Sequence, residues 1–356
     1  MSKGTIQRNV IEPLQELWGE LVTDISSDNT AKLFGEKVYC IGAENIGALR
    51  KFRGPRIKYL YIDEIVDINM EVFELLKSRL SFDYSCCDAS GNPQGKNHPI
   101  KKFIDSDVDI YVQNYTLFDN PFLPEKYVED LCKEYRGTVF YNRYILGQWC
   151  NAEGLIFRQI ADNCEKYITK EVQLNSFISI GIDWGGNKSK HSITATKISR
   201  TYRRVQCLKS STMQAKGSTT KQVFRWIINF IKEIQDKYGT VSFIFADSAE
   251  QVLNNSLNGE LEKNELNLIV QDSKKIKIKD RIELWNRLLN LDLLSFIYGE
   301  TQTIIEALQS ALYDDKAEDD RWIDDEETSD IDSLDSFNYS FEFWAEEIAY
   351  CLGKAA

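Results

Sequence analysis

The ten residues GIDWGGNKSK, at positions 181–190, decide how the second half of this 356-residue chain is interpreted. They follow an apolar stretch and contain a single acid, Asp183. Three interpretations are open. The glycines and the Asn-Lys-Ser that follows them could form a P-loop, the Asp-x-Gly-Gly turn could hold a phosphate, or Asp183 could be a metal ligand at the end of a strand.

The flanking residues disfavour the first interpretation. A P-loop reads G-x-x-x-x-G-K-[ST] and opens a helix, so that backbone amides face the phosphates. Here Asn187 displaces the lysine by one position, and the β-branched stretch SITATKIS predicts a strand instead. The Asp-x-Gly-Gly turn between two strands resembles that of actin-like ATPases and sugar kinases. Those proteins need further glycine turns, and the next strand-end acid, in FADSAEQ, has no adjacent glycine. This interpretation stays as the alternative.

The metal interpretation draws on acids elsewhere in the chain. Asp183 and Asp247 each end an apolar strand, and Asp335 lies on a closing helix with Asp332 three residues earlier on the same face. Clustered carboxylates are unfavourable unless a cation neutralises them. Oxygen ligands select Mg²⁺ or Mn²⁺, and two such ions can activate a water against a phosphodiester. Acids on strand, strand and closing helix, in this order, are the pattern of an RNase H-like nuclease.

The composition limits the remaining classes. A hydrophobic content of 43% predicts a folded chain, and a net charge of −12 argues against a passive nucleic-acid binder. An enzyme that meets DNA through a local basic patch is still allowed, and one stretch offers Lys274, Lys275, Lys277 and Lys279, with a solvated face as the competing explanation. Two histidines and eight cysteines without a C-x-x-C pair disfavour nitrogen and sulfur metal sites. No apolar run approaches the roughly 18–20 residues that span a bilayer, and no signal peptide is evident, so we expect a soluble intracellular protein.

The order of predicted elements indicates two α/β parts with a boundary near Asn151. In the first part, IKYLYIDEI predicts a buried parallel strand closed by two acids, and YSCCDASGNP predicts a strand that enters a turn. In the second part we expect a strand that ends at Asp183, an antiparallel meander, a helix over TTKQVFRWIINFIKEIQDKYG, and a strand that ends at Asp247. The last helix is expected from about Ser333 to Cys351.

With these motifs the sequence resembles the large subunit of tailed-phage terminases, in particular the PBSX-like group, from about Thr5 to Leu352. DNPFLPEKY and YNRYILGQW are typical of that group and carry the most specific part of the resemblance. It implies an ATPase domain that drives DNA into the procapsid and an RNase H-like endonuclease domain that cuts the concatemer.

The resemblance assigns residues to both activities. YLYIDE matches the Walker B strand, so that Asp63 would hold the Mg²⁺ of ATP and Glu64 would activate the attacking water. SGNP matches the coupling motif, in which Asn92 would sense the γ-phosphate. The metal ligands of the nuclease map to Asp183, Asp247 and Asp335, with Asp332 as an auxiliary acid. An arginine finger is sought among Arg50, Arg53 and Arg56, for which exposed basic residues are the plain alternative.

The expected fold class is therefore an incomplete P-loop-type ATPase domain over residues 1–150, followed by an RNase H-like nuclease domain over residues 151–356. No G-x-x-x-x-G-K-[ST] occurs in the sequence. We therefore expect the chain to begin inside the ATPase domain, and ATP turnover by it alone is in doubt. The implied partners are double-stranded DNA, the terminase small subunit and the portal protein, on which it could form a homo-oligomer, all in the host cytoplasm with no membrane. Two alternatives stay open: a phosphotransferase of the actin-like or sugar-kinase type, and a catalytically silent packaging component.

Overall fold

The protein is described from a computed structural model. The structure describes residues 3–42, 56–96, 98–150, 152–186, 189–314, 317, 319–323 and 330–353. The chain divides into two compact units: the first comprises residues 1–93 and 98–110, and the second comprises residues 94–97 and 111–356. Among the described residues, no helix is both long enough and apolar enough to cross a membrane.

The first unit begins with a helical segment and a hairpin. Pro13 has no amide to donate, and the helix relaxes into one π-turn directly before it. The hairpin turns at Phe34 and Gly35, which both have positive φ, as a two-residue hairpin turn requires. The helices and strands are α1 Lys3–Ile6, the π-turn Gln7–Ile11, α2 Glu12–Trp18, β1 Thr30–Leu33 and β2 Glu36–Tyr39.

The rest of the first unit contains a parallel strand pair. The strands are β3 Tyr59–Ile62 and β4 Cys86–Ala89, with Ile62 opposite Ala89, and the helices are α3 Met70–Lys77 and α4 Pro99–Ile104. Asn69 caps α3 by accepting from the amides of Glu71 and Val72. The expectation of a buried strand was wrong here, since of the β3 residues only Ile62 is buried and all of β4 is exposed. The two strands are thus hydrogen-bonded to one another, but most of their side chains are not buried by other elements.

The second unit is built on one mixed sheet. Among the described residues seven strands lie in the order β10-β9-β6-β7-β8-β11-β5. β6, β7 and β8 form the expected antiparallel meander, and β9 lies parallel to β6 on its other side. This central order is that of an RNase H-like sheet. The strands are β5 Ile168–Thr169, β6 Ser176–Asp183, β7 Lys190–Ser199, β8 Val205–Gln214, β9 Val241–Ala246, β10 Val270–Asp272 and β11 Leu294–Ile297.

Helices cover both faces of this sheet, and each face has its own buried apolar cluster. A capping box of Thr219 and Gln222 starts α7, whose apolar stripe packs against the sheet. The helices are α5 Glu125–Tyr135, α6 Arg158–Asn163, α7 Thr220–Tyr238, α8 Gln251–Lys263, α9 Ile278–Asn290, α10 Gln302–Ser310, α11 Ile331–Tyr339 and α12 Ala345–Gly353.

The closing helix differs from its prediction. It is not continuous to Cys351, because α11 ends at Tyr339 and a 3₁₀ turn, Glu342–Trp344, precedes α12. The Ser340 hydroxyl donates to the carbonyl of Phe337 at 2.6 Å, and such local bonds compete with the helical ladder. The break turns Glu342 inward, where it is 1% exposed.

Residues 125–145 pack within the second unit. Glu134 pairs with Arg287, and Arg143, which is 1% exposed, pairs with Asp320. The boundary near Asn151, a residue outside the described part of the chain, stays a prediction. It concerns where the ATPase and nuclease domains divide, and the division into two compact units does not assign an activity to either unit.

Candidate metal centre

Asp183 and Asp247 lie at adjacent strand ends. β6 and β9 are parallel, and their register pairs Ile182 with Ala246, so the next residue of each strand is one of the two acids. Asn254, itself 3% exposed, ties the two ends together. It accepts from the indole of Trp184 at 2.8 Å and donates to the carbonyl of Asp247 at 2.9 Å.

The turn after Asp183 settles the first of the open interpretations. Its chain re-enters the sheet as β7, not as a helix, so the geometry of a P-loop is absent from the described residues around it. The amide of Gly185 donates to Nδ1 of His191 at 3.1 Å, which fixes the turn against β7. Asn187 lies outside the described residues.

Helix α11 brings the other two acids to this edge. It approaches β6 so closely that a Cβ on Gly181 would lie 2.0 Å from the carbonyl oxygen of Ser336. The Ser336 hydroxyl lies 2.8 Å from that of Ser192 and 2.9 Å from that of Thr194, so hydroxyl contacts fix the helix on the sheet. Asp330 caps the helix by accepting from the amide of Ser333. Asp332 and Asp335 consequently face the strand ends.

The electrostatics show that the four carboxyls are neighbours. Burial raises the pKa of Asp183 well above its ordinary value, and Asp335, Asp332 and Asp247 each raise it further. Burial also raises the pKa of Asp335, to about 6. The pKa of Asp332 is raised by burial too, against the amide of Lys190, which donates to its carboxylate at 2.6 Å. Carboxyls that resist ionisation in this way would be stabilised in their ionised form by a cation bound among them.

Two basic side chains lie among these acids in the structure as described. The Lys275 ammonium is 2.5 Å from Oδ1 of Asp247, and the Arg281 guanidinium is 2.5 Å from Oδ1 of Asp335. Within the described residues no three Asp, Glu, His or Cys side chains converge closely enough to hold a metal ion. The oxygen donor set fits Mg²⁺ or Mn²⁺, while the present arrangement has basic side chains as its cations.

Sequence reasoning missed three of the residues around the acids. Arg281, Glu342 and Tyr339 carry no motif, and Tyr339 is 3% exposed with its pKa raised by burial and by Asp335, Asp183 and Asp247. Lys275 was singled out only as part of a basic stretch, of which Lys274 donates to the carbonyl of Phe343 at 2.8 Å. The available signal was Glu342 itself, a single acid within the largely aromatic stretch FNYSFEFW at residues 337–344.

The predicted ATPase residues also adjoin one another, within the first unit. The pairing of β3 with β4 sets Asp63 beside Ser90, whose hydroxyl donates to Oδ1 of Asp63 at 2.8 Å. Glu64 has a φ of 54°, in the left-handed region. Asn92 follows two residues after Ser90 and is exposed.

The arginine-finger candidates are less informative. Arg56 donates to the hydroxyl of Ser81 at 3.0 Å and lies 3.9 Å from the ring centre of Phe82, which gives it a local role. Arg50 and Arg53 lie outside the described residues. The finger stays a prediction.

Comparison with known proteins bears on both units. Residues 21–161 match the family "Terminase large subunit, T4likevirus-type, N-terminal". The large terminase of a thermophilic bacteriophage is similar in structure, with a TM-score of 0.77 and 20% identity over 96% of this chain and 84% of that one. The complex of the same terminase with ADP matches with a TM-score of 0.74 and 20% identity over 98% and 85% of the two chains. No curated protein matches.

A third solved structure covers only part of the chain. The nuclease domain of the large terminase of bacteriophage SPP1, solved with bound Mn, matches at 18% identity over 50% of this chain and 96% of that one. Its TM-score is 0.37. The likeness at 20% identity establishes a shared fold, and together with the family match it confirms the resemblance stated from the sequence. The narrower assignment to the PBSX-like group stays a prediction.

Proposed function

We propose that this chain, a tailed-phage terminase large subunit by its family match and its fold, is a divalent-metal-dependent endonuclease that cuts double-stranded DNA at the acid cluster of its second unit. The observation that carries the proposal is Asp183, which lies at a strand end where burial raises its pKa and three further acids from a second strand and a helix raise it more. Four carboxylates clustered in this way destabilise the fold unless cations neutralise them.

The residues that would hold the metal are Asp183, Asp247 and Asp335, with Asp332 beside them. Divalent cations bound there would supply an activated water and a counter-charge for the leaving oxygen of the phosphodiester. The chain itself fixes the acids. Asn254 locks the two strand ends to one another, and the hydroxyls around Ser336 hold the helix that carries the remaining acids.

The first unit is proposed to serve ATP. Asp63 would hold the Mg²⁺ of the nucleotide, Glu64 would orient the attacking water, and Asn92 would sense the γ-phosphate. The support is the contact between the two motifs and the thermophilic phage terminase solved with ADP. Coupled to DNA translocation in the phage-infected host cytoplasm, this unit would work with the small subunit and the portal protein, where several copies of the chain would assemble.

The deciding experiment incubates supercoiled plasmid with the full chain and Mn²⁺, with and without EDTA. Asp183→Ala should lower the cutting rate by roughly a thousandfold, because a metal ligand contributes several kcal/mol of transition-state stabilisation. Asp236→Ala, an exposed acid on α7, is the matched control and should cut like the wild type. Equal rates for Asp183→Ala and wild type would refute the assignment.

The same preparation separates the alternatives. A phosphotransferase of the actin-like or sugar-kinase type would bind nucleotide through Asp183 and its glycines and leave the plasmid intact. A silent packaging component would do neither. The fold and the family match do not favour the phosphotransferase.

A further inference from the structure

The turn between β10 and α9, residues 273–276, has an unusual backbone. Lys275 has a φ of 52°, in the left-handed region where a residue with a Cβ costs roughly 1–2 kcal/mol. A lysine persists in such a conformation only where its surroundings determine it. The turn is therefore held from outside its own sequence.

The holding group is Glu342. Its carboxylate accepts from the amide of Lys275 at 2.9 Å, from the amide of Ile276 at 3.3 Å and from the side chain of Asn338 at 2.6 Å. The residue is 1% exposed, and a buried carboxylate is unfavourable unless it is paired or hydrogen-bonded. Three donors and the Arg281 guanidinium at 3.8 Å meet that requirement.

This turn and the first residues of α9 bring two cations to two of the four acids. Lys275 reaches Asp247 and Arg281 reaches Asp335, each at 2.5 Å. Their surroundings differ. The Arg281 side chain is 6% exposed and also donates to the carbonyl of Ile276 at 2.9 Å, whereas the Lys275 side chain is 40% exposed. Arg281 is a fixed counter-ion, and Lys275 is a counter-ion that can leave.

We propose that Glu342 is a positioning residue that seats Lys275 on Asp247 as an internal counter-ion, and that a divalent cation gains Asp247 by displacing this ammonium. This inference rests on the proposed metal site and adds a group that competes with the metal ion, the ammonium of Lys275. The ammonium on Oδ1 of Asp247 occupies a ligand position and repels a divalent cation that approaches the same carboxylate, so the apparent metal affinity is lowered by the fraction of molecules in which Lys275 is seated. The pair thus sets the metal concentration at which the site fills.

The test is a calorimetric titration of the full chain with Mn²⁺ alone, without DNA. Lys275→Met keeps the length of the side chain and removes the charge, and it should tighten Mn²⁺ binding about two- to fivefold, the range of a half-exposed ion pair. Lys263→Met is the matched control, since Lys263 pairs with Glu260 at 2.7 Å on a different helix. It should leave Mn²⁺ affinity unchanged.

The positioning role has its own variant. Glu342→Gln retains the lysine but weakens the hold on the turn, and it should tighten Mn²⁺ binding in the same direction. Adding Lys275→Met to it should give no further gain, because both changes act through one contact. If Glu342→Gln does not fold, Asn338→Leu, which removes one of the donors to the carboxylate, replaces it with the same expectation.

Each outcome bears on one claim. Equal Mn²⁺ affinities for wild type and Lys275→Met would overturn the displacement, whether or not the plasmid is cut. Additive gains in the double variant would overturn the role of Glu342. If the variants bind Mn²⁺ more tightly but neither they nor the wild type cut the plasmid, the counter-ion role of Lys275 is supported and the nuclease function is refuted. Absence of Mn²⁺ binding by the wild type would refute both.

Discussion

Two strand-end acids of this chain share a local pattern and differ in what covers them. Asp63 follows β3, and the parallel strand beside it continues into Ser90. Asp183 ends β6, and the parallel strand beside it continues into Asp247. The first acid lies on a strand pair with few buried positions, whereas the second is 9% exposed beneath a helix.

The cover changes the chemistry of the same side chain. Asp63 accepts a hydrogen bond from the hydroxyl of Ser90 and is only partly buried. Asp183 has lost most of its hydration, and its neighbours are acids, so its ionised form is costly and a metal cation would relieve that cost. A strand-end acid becomes a candidate ligand through the helix above it rather than through the strand itself.

The largest expected effect comes from shortening the chain. If the second unit covers its own acids, residues 111–356 should unfold cooperatively in urea and cut plasmid with Mn²⁺. Residues 151–356 lack Glu134 and Arg143, so that Arg287 and Asp320 lose their buried partners. Removal of one partner of a buried pair costs about 3–5 kcal/mol, and the shorter fragment should be aggregated or unfolded.

Urea unfolding of the two fragments side by side makes that measurement. A shorter fragment as stable as the longer one would mean that residues 111–150 do not belong to the covering layer, and that the predicted boundary near Asn151 also separates the folding units.

A smaller loss of stability is expected when one methyl group is added near each acid, by a Gly→Ala substitution. A Cβ on Gly181 would meet the backbone of α11 at 2.0 Å, so Gly181→Ala should cost about 1–3 kcal/mol or more and displace Asp332 and Asp335. A Cβ on Gly91, near Asp63, would approach the amide of Ile65 only to 3.3 Å. Gly91→Ala is therefore the comparison, with a change in thermal stability several times smaller. Equal losses would show that the two acids are equally covered.

The third effect depends on pH and is measured in EDTA. Because the pKa of Asp183 is raised above its value in the unfolded chain, the native state binds more protons, and stability falls as the pH rises above about 4. Asparagine has no proton to lose, so Asp183→Asn should be more stable than the wild type at pH 7.5. Near pH 4 the gain should vanish.

Asp63→Asn is the control for this experiment. Its carboxylate is only partly buried and accepts from Ser90, so the substitution should not reproduce the stabilisation expected of Asp183→Asn. A matching gain in Asp63→Asn would mean that burial does not distinguish the two sites.

The smallest expected effect is none. Glu64→Gln should leave Mn²⁺-dependent cutting within about twofold of wild type, because Glu64 belongs to the predicted ATPase motif and not to the acid cluster. Phosphate release from ATP by residues 1–356 should be negligible, since the sequence holds no P-loop to grip the phosphates. Robust turnover that Glu64→Gln abolishes would reveal a phosphate cradle of another kind.

The sequence was sufficient wherever a short-range pattern decided the outcome. The meander after Asp183, the capped helix α7 and the strand that leads to Asp247 follow from periodicity and β-branching. The exposure of β3 did not follow, because an apolar run does not say how many strands flank it. The cations at the acids did not follow either, since Arg281 and Asp335 are 54 residues apart and nothing local couples them.

One consequence of the position of α11 concerns synthesis. The amide of Lys190 and the carboxylate of Asp332 that accepts from it are 142 residues apart in the chain. Chains emerge from the ribosome with the N-terminal end first, at about 5–20 residues per second. During that interval of several seconds the strand ends exist without the helix that brings two of the four acids. A nascent chain therefore carries the two strand-end acids before the two acids of α11, and the proposed metal site stays incomplete until α11 has been translated.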